Sequence, residues 1–131
     1  MNFILADELK KIYDVYGHFY NLKLSNSILK CRSVLEIKRK DNLTEIPDIV
    51  VIMMNPGSSV PLDKSYEPET FSKEEYFEIK EKEIIPTRPD NAQYQIMRLM
   101  ETNNWDFVRI LNLSDLRNGN SGKFQTEFRD A

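Results

Sequence analysis

Ile49-Val50-Val51-Ile52-Met53-Met54 is a run of six apolar residues without a charge, and Asn55-Pro56-Gly57-Ser58-Ser59 follows it directly. An uninterrupted apolar run closed by chain breakers is the pattern of a strand covered on both faces, because the two-residue alternation of a half-exposed strand is lost when both sides meet a core. The run is therefore expected to be a central strand. A second such stretch, Phe107-Val108-Arg109-Ile110-Leu111-Asn112-Leu113, lies downstream. Before it, Asp90 stands as the N-cap of a helix whose apolar face is Ile96, Met97, Leu99 and Met100,. Strand, connection with helix, strand is a βαβ unit, which predicts parallel strands and a right-handed crossover. The fold class expected on this basis is α/β: a three-layer sandwich with a mainly parallel central sheet.

On the N-terminal side, Ile4, Leu5, Leu9, Ile12, Tyr13 and Tyr16 recur at steps of three and four, so residues 3–16 are expected to form an amphipathic helix ended by Gly17,. Between residues 19 and 40 the pattern turns to alternation, with Tyr20, Leu22 and Leu24 on one face and Ser33, Leu35 and Ile37 forming another set. Ser25-Asn26-Ser27 between them reads as a turn, which makes two strands in a hairpin. Residues 60–88 read as a long acidic loop or insertion punctuated by Pro61, Pro68 and Pro86. Within it Ser72 and Glu75 have the spacing of a capping box opening a charged helix that reaches Ile85.

A length of 131 residues is that of a single domain, and 40% hydrophobic residues are enough for a real core,. The whole chain, residues 1–131, is accordingly expected to be one α/β domain. Residues 1–40 carry eight bases against four acids, whereas the net charge of the chain is -3, so the remainder carries -7. Tight, sequence-independent duplex binding needs the opposite balance, since its affinity comes from Lys and Arg on phosphates. A single cysteine, Cys31, makes no internal disulfide,. With no basic-then-apolar leader at the start and no run of ~18 apolar residues, the chain is expected to be cytoplasmic, with no membrane partner.

Several familiar chemistries are set aside. His18 and Cys31 fall on different elements and suit neither a zinc site nor a nucleophile–base pair, and His18 reads as a helix-end or surface residue. Gly119-Asn120-Ser121-Gly122-Lys123 lacks the upstream glycine of a phosphate loop, and Phe124 stands where a magnesium-binding hydroxyl is needed,. Met53, Met54, Met97 and Met100 read as packing residues. No metal and no cofactor are expected. What remains is the ends of the two apolar strands, because ligands of open α/β sheets bind beyond the carboxyl ends of the strands. There Asn55, Pro56, Gly57, Ser58 and Ser59 would meet Asn112, Ser114, Asp115 and Arg117. An asparagine amide donates and accepts at once, as a nucleobase edge or an ordered water requires. Gly57 allows close backbone approach, the serines supply hydroxyls, and Arg117 supplies a fork for an anion. The same residues are also ordinary turn formers.

Cys31-Arg32-Ser33-Val34-Leu35-Glu36-Ile37, the strand into Asn55-Pro56-Gly57-Ser58-Ser59, Pro89-Asp90-Asn91 opening a helix, and the stretch from Val108 to Arg117 together resemble the bacterial and phage family catalogued as domain of unknown function 1643. That family is similar in turn to the uracil-DNA glycosylase superfamily, whose mismatch-specific branch places Gly-x-Asn-Pro-Gly after a central strand. Asn55-Pro56-Gly57 matches the last three positions, with Met53 in place of the leading glycine. The resemblance implies a uracil-DNA-glycosylase-like fold in which Asn55 orients the water that attacks a glycosidic carbon, and a pocket for an extruded base. The late His-Pro loop of those enzymes has no counterpart after Arg117, and against the family pattern the chain is C-terminally short. The expected function is thus binding of a nucleotide or nucleobase-like ligand at the strand-end crevice, with a nucleotide or single-stranded nucleic acid as partner. The alternatives are a non-catalytic protein-interaction module or the remnant of a DNA glycosylase-like hydrolase. A sheet edge left uncovered would favour a homodimer.

Overall fold

The computed structural model describes residues 4–42, 44–54, 59–72, 74–75 and 82–112. They form a mixed α/β fold with the element order α1 (Ala6–Ile12), β1 (Tyr13–Lys23), β2 (Ile28–Arg39), β3 (Ile49–Met53), β4 (Val60–Pro61), β5 (Glu69–Phe71), β6 (Ile85–Arg88), α2 (Asn91–Asn103) and β7 (Phe107–Asn112). The strands make one seven-stranded sheet in the order β3-β7-β2-β1-β6-β4, and β5 also pairs with β1.

The sheet is mostly antiparallel, which corrects the expectation of a mainly parallel one. Only β3–β7 and β1–β5 run parallel among the described ladders. The cause is the long β1–β2 hairpin, closed by Leu24 N–H donating to the Ser27 carbonyl at 2.8 Å, since strands joined by so short a turn must be antiparallel,. This hairpin docks on β7 through β2, again antiparallel. Its length was hidden because residues 13–16 also fit a helical stripe. The helix is in fact only seven residues, and at Tyr13 the backbone turns extended (φ -122, ψ 147) and continues as β1. So short a helix has little stability of its own, whereas Tyr13, Val15, Tyr16, Phe19 and Tyr20 are strong strand formers.

Gly17 does not end a helix. It lies inside β1, where an added Cβ would sit 3.0 Å from Thr87 Oγ1 and 3.1 Å from a Phe19 ring carbon. Beside it the register slips, so that His18 faces both Ser33 and Val34, a β-bulge that swings Arg32 onto the same face as Leu35,.

The β3–β7 pair is parallel and adjacent, as the βαβ pattern predicts, with Met53 beside Asn112. Asp48 pins its start, accepting from the Asp106 and Phe107 N–H groups at 2.7 and 3.0 Å. But among the described residues β3 is the terminal strand of the sheet, not a doubly covered central one. Ile49, Val51 and Met53 pack inward, whereas Val50, Ile52 and Met54 are 46%, 65% and 65% exposed. Continuous apolarity reports what a strand is made of but not how many neighbours it has.

Residues 60–88 are more than a loop, since β4, β5 and β6 all add to the sheet. Ser72 and Glu75 do make the reciprocal 3.2 Å bonds of a capping box. The helix expected to run on to Ile85 has stopped before that residue, which opens β6. Residues 76–81, where that helix is expected, lie outside the described residues.

α1 and α2 cover one face of the sheet. Leu9, Ile96, Met97 and Met100 meet Val15, Leu35, Ile37, Val108 and Ile110 in a single core. Among the described residues no helix covers the other face, so the coarse α/β class holds and a third layer is not seen. Asp90 caps α2 as expected: its carboxylate accepts from Ala92 and Gln93 N–H, and Gln93 Oε1 accepts from Asp90 N–H at 2.6 Å,. The other end of α2 is clamped by Arg39, which donates to Glu101 at 2.8 Å and Asp106 at 2.9 Å, while the Tyr13 hydroxyl donates to the same Glu101 carboxylate. The two hydrogen bonds hold the Glu101 carboxyl below the usual glutamate range, and burial with the Glu101 contact pushes the Tyr13 phenol far up.

Candidate functional site

β3 and β7 run parallel and side by side, so their carboxyl ends emerge together on one edge of the molecule. That is the position where an open α/β sheet presents its ligand crevice. Of the residues expected there, Ser59 and Asn112 are described. Asn55, Pro56, Gly57, Ser58, Ser114, Asp115 and Arg117 lie outside the described residues, as does the Gly119 to Lys123 motif.

Asn112 ends β7 on the face that carries Val108 and Ile110, next to Met53 of β3. Both its side-chain nitrogen and oxygen are buried, and neither has a hydrogen-bond partner among the described residues. An amide that has given up water at both ends without replacement costs about 1–3 kcal/mol per group. Such groups mark places where a fold reserves hydrogen-bonding capacity for something else, be it water, an ion or a ligand. Ser59 shows the same condition: the residue is 2% exposed, and its hydroxyl has no partner among the described residues. Two positions singled out for polar chemistry in the sequence thus carry buried, unused polar atoms, one of them at the carboxyl end of the parallel pair.

The outer face of the sheet holds a second polar group. His18, expected at a helix end, is buried in the middle of β1, where its Nδ1 lies 2.6 Å from Ser33 Oγ and its ring stacks on Tyr20. The Ser–His distance suits a nucleophile–base pair. The pair sits across the bulge, where it ties the two offset strands together. Farther along this face Arg109 donates to Glu36 through Nε at 2.9 Å and Nη2 at 2.8 Å, with Lys38 at 3.9 Å. Among the described residues no group of His, Cys, Asp and Glu has the make-up of a metal site. No described helix is long and apolar enough to cross a membrane.

One feature had no sequence signal. A groove of about 580 Å³ opens between α1, the first residues of β1 and the β4–β6 pair, and Lys10, Lys40, Lys64 and Arg88 border it. These cations come from four separate segments: Lys10 and Lys40 fall within the basic first forty residues, but no local pattern places them with Lys64 and Arg88. Comparison of the chain with protein-family models, with curated proteins and with solved structures returns no match.

Proposed function

We propose that this protein binds a nucleotide or nucleobase-like ligand beyond the carboxyl ends of β3 and β7. The observation that carries the reading is the Asn112 amide, whose donor and acceptor are both buried and have no partner among the described residues, at the end of a parallel strand pair. A nucleobase edge offers the complementary acceptor and donor at the spacing an amide can meet. In this reading Asn55, which follows β3 in sequence, faces base or water, Gly57, Ser58 and Ser59 supply backbone and hydroxyl donors, Pro56, Ser114 and Asp115 complete the lining, and Arg117 pairs with the anion. The parallel β3–β7 pair followed by Asn55-Pro56-Gly57 supports a uracil-DNA-glycosylase-like relationship, although the sheet is mostly antiparallel. In the hydrolase form of the reading Asn55 orients the attacking water, and release of free base from a uracil-containing single strand tests it.

Titration with adenosine, uridine and their monophosphates, followed through the Asn112 side-chain amide resonances, is the direct experiment. At least one ligand shifts those resonances in the wild type, and its affinity falls at least tenfold in Asn112→Leu. Unmoved resonances with all four ligands would sink the proposal.

A second reading, self-association, is favoured by the outer face of β3, which is apolar, and by its edge, which no strand pairs among the described residues. Antiparallel pairing of two copies about Val51 sets Ile49 opposite Met53 and Val50 opposite Ile52, all apolar, and β3 itself carries none of the lysines or prolines that blunt natural edges,. Sedimentation analysis decides it: a dimer that Ile52→Lys converts to monomer supports the reading, and a wild-type monomer at 100-fold different concentrations refutes it.

A further inference from the structure

The basic groove arises from a local defect in strand pairing. β6 pairs with β1 only at Tyr16–Pro86 and Gly17–Ile85. Proline has no N–H to continue the ladder, so beyond Pro86 the strand leaves β1, and its last residues, Thr87 and Arg88, pair with β4 instead,. Tyr13, Asp14 and Val15 are left without a strand partner on that side among the described residues. The wedge between the diverging strands is the groove. Among its lining residues Val15 and Met97 are buried, and Val60 and Pro61 add more accessible apolar surface.

The rim is cationic. Lys10, Lys40, Lys64 and Arg88 face a single carboxylate, Asp14, which gives +3 in a chain of net charge -3. Lys40 lies 3.7 Å from Asp14, and Lys10 reaches only the exposed Asp7, at 4.0 Å. Neither Lys64 nor Arg88 has an ion-pair partner among the described residues. Like charges gathered around a concave, low-dielectric wall focus a positive potential into it and draw anions there. A volume of about 580 Å³ falls within the range of small-molecule sites,.

We propose that this groove is a second binding site, separate from the strand ends, for a small organic phosphate: an anionic head held by Lys64 and Arg88 and an apolar body seated on Val15, Val60 and Pro61, above the buried Met97. Arg88 offers the planar fork that suits a phosphate, with Lys10, Lys40 and Lys64 as point charges around it. The apolar floor distinguishes this site from a plain ion trap, because inorganic phosphate would leave it wet.

Three probes separate the contributions by isothermal titration and methyl resonances of Val15 and Met97: phenyl phosphate, inorganic phosphate and benzyl alcohol. Phenyl phosphate is expected to bind at least tenfold more tightly than either of the others and to shift both methyl signals. The double variant Lys64→Gln/Arg88→Gln, at exposed positions, weakens phenyl phosphate at least tenfold, whereas the charge-matched control Lys23→Gln/Lys30→Gln does not. Asn112→Leu leaves phenyl phosphate binding intact, which keeps this test independent of the strand-end reading. Equal affinity for inorganic and phenyl phosphate, no binding at millimolar phenyl phosphate, or loss in the control variant equal to that in the groove variant would each overturn the proposal.

Discussion

Replacing Asn112 by leucine should make the protein more stable while it loses its proposed ligand. Asn112 alternates with Val108 and Ile110 on the core side of β7, beside Met53, and both polar atoms of its amide are buried without partners among the described residues. Each such atom costs about 1–3 kcal/mol, and replacing a polar group by an apolar one of similar shape removes that cost. Water reaching the strand end offsets part of it, so a net gain of about 1–3 kcal/mol is expected from Asn112→Leu. For a domain of this size that corresponds to roughly 4–12 °C in melting temperature. Urea unfolding followed by far-UV circular dichroism measures it, with an unchanged m value showing that the same surface is exposed. Asn112→Asp is the control and should destabilise, because it buries a charge. A loss of more than about 1 kcal/mol in Asn112→Leu would show that the amide makes structural hydrogen bonds, and the case for a reserved ligand contact would fail.

Glu101→Gln should cost about 1–2 kcal/mol at neutral pH, a moderate figure because Arg39 and Glu101 are 29% and 28% exposed,. The folded-state pKa of Glu101 is depressed, so its contribution is present above the unfolded glutamate value of about 4.3 and fades as pH falls through the lower folded value,. Acid titration of stability should accordingly flatten in Glu101→Gln, and an unchanged acid limb would count against the clamp. Tyr13, whose folded pKa is raised, acts with the opposite sign: its contribution is present below about pH 10 and fades above it, so Tyr13→Phe should lose alkaline sensitivity,. Gly17→Ala should destabilise by about 1–3 kcal/mol through overpacking against Thr87 Oγ1, and Thr87→Ala should recover at least half of that in a double-mutant cycle; additive costs would refute the contact,.

Much of the local structure is legible in the chain. Asp90 announces the start of α2, Ser25-Asn26-Ser27 announces the hairpin, and the two apolar runs announce a parallel pair. The errors share one cause. Tyr13 and Tyr16 fit both a helical and a strand period, and the strand won because β2 was available to pair with it along its whole length. Pro86 read as loop punctuation, whereas it ends a ladder and so creates a groove. His18 read as a surface residue because nothing local signals the bulge that buries it.

The sequence by itself determined the α/β class, the parallel pairing of β3 with β7 and the polar character of their carboxyl ends, since propensity, apolar period and turn chemistry act within a few residues. Tertiary structure alone decided the rest: that among the described residues β3 is an edge and the buried Asn112 amide has no partner, that the hairpin makes the sheet mostly antiparallel, and that Lys10, Lys40, Lys64 and Arg88 surround one groove. Each of these depends on which distant segments meet, and that is fixed by strand pairing and burial across the whole chain, where local pattern carries no information.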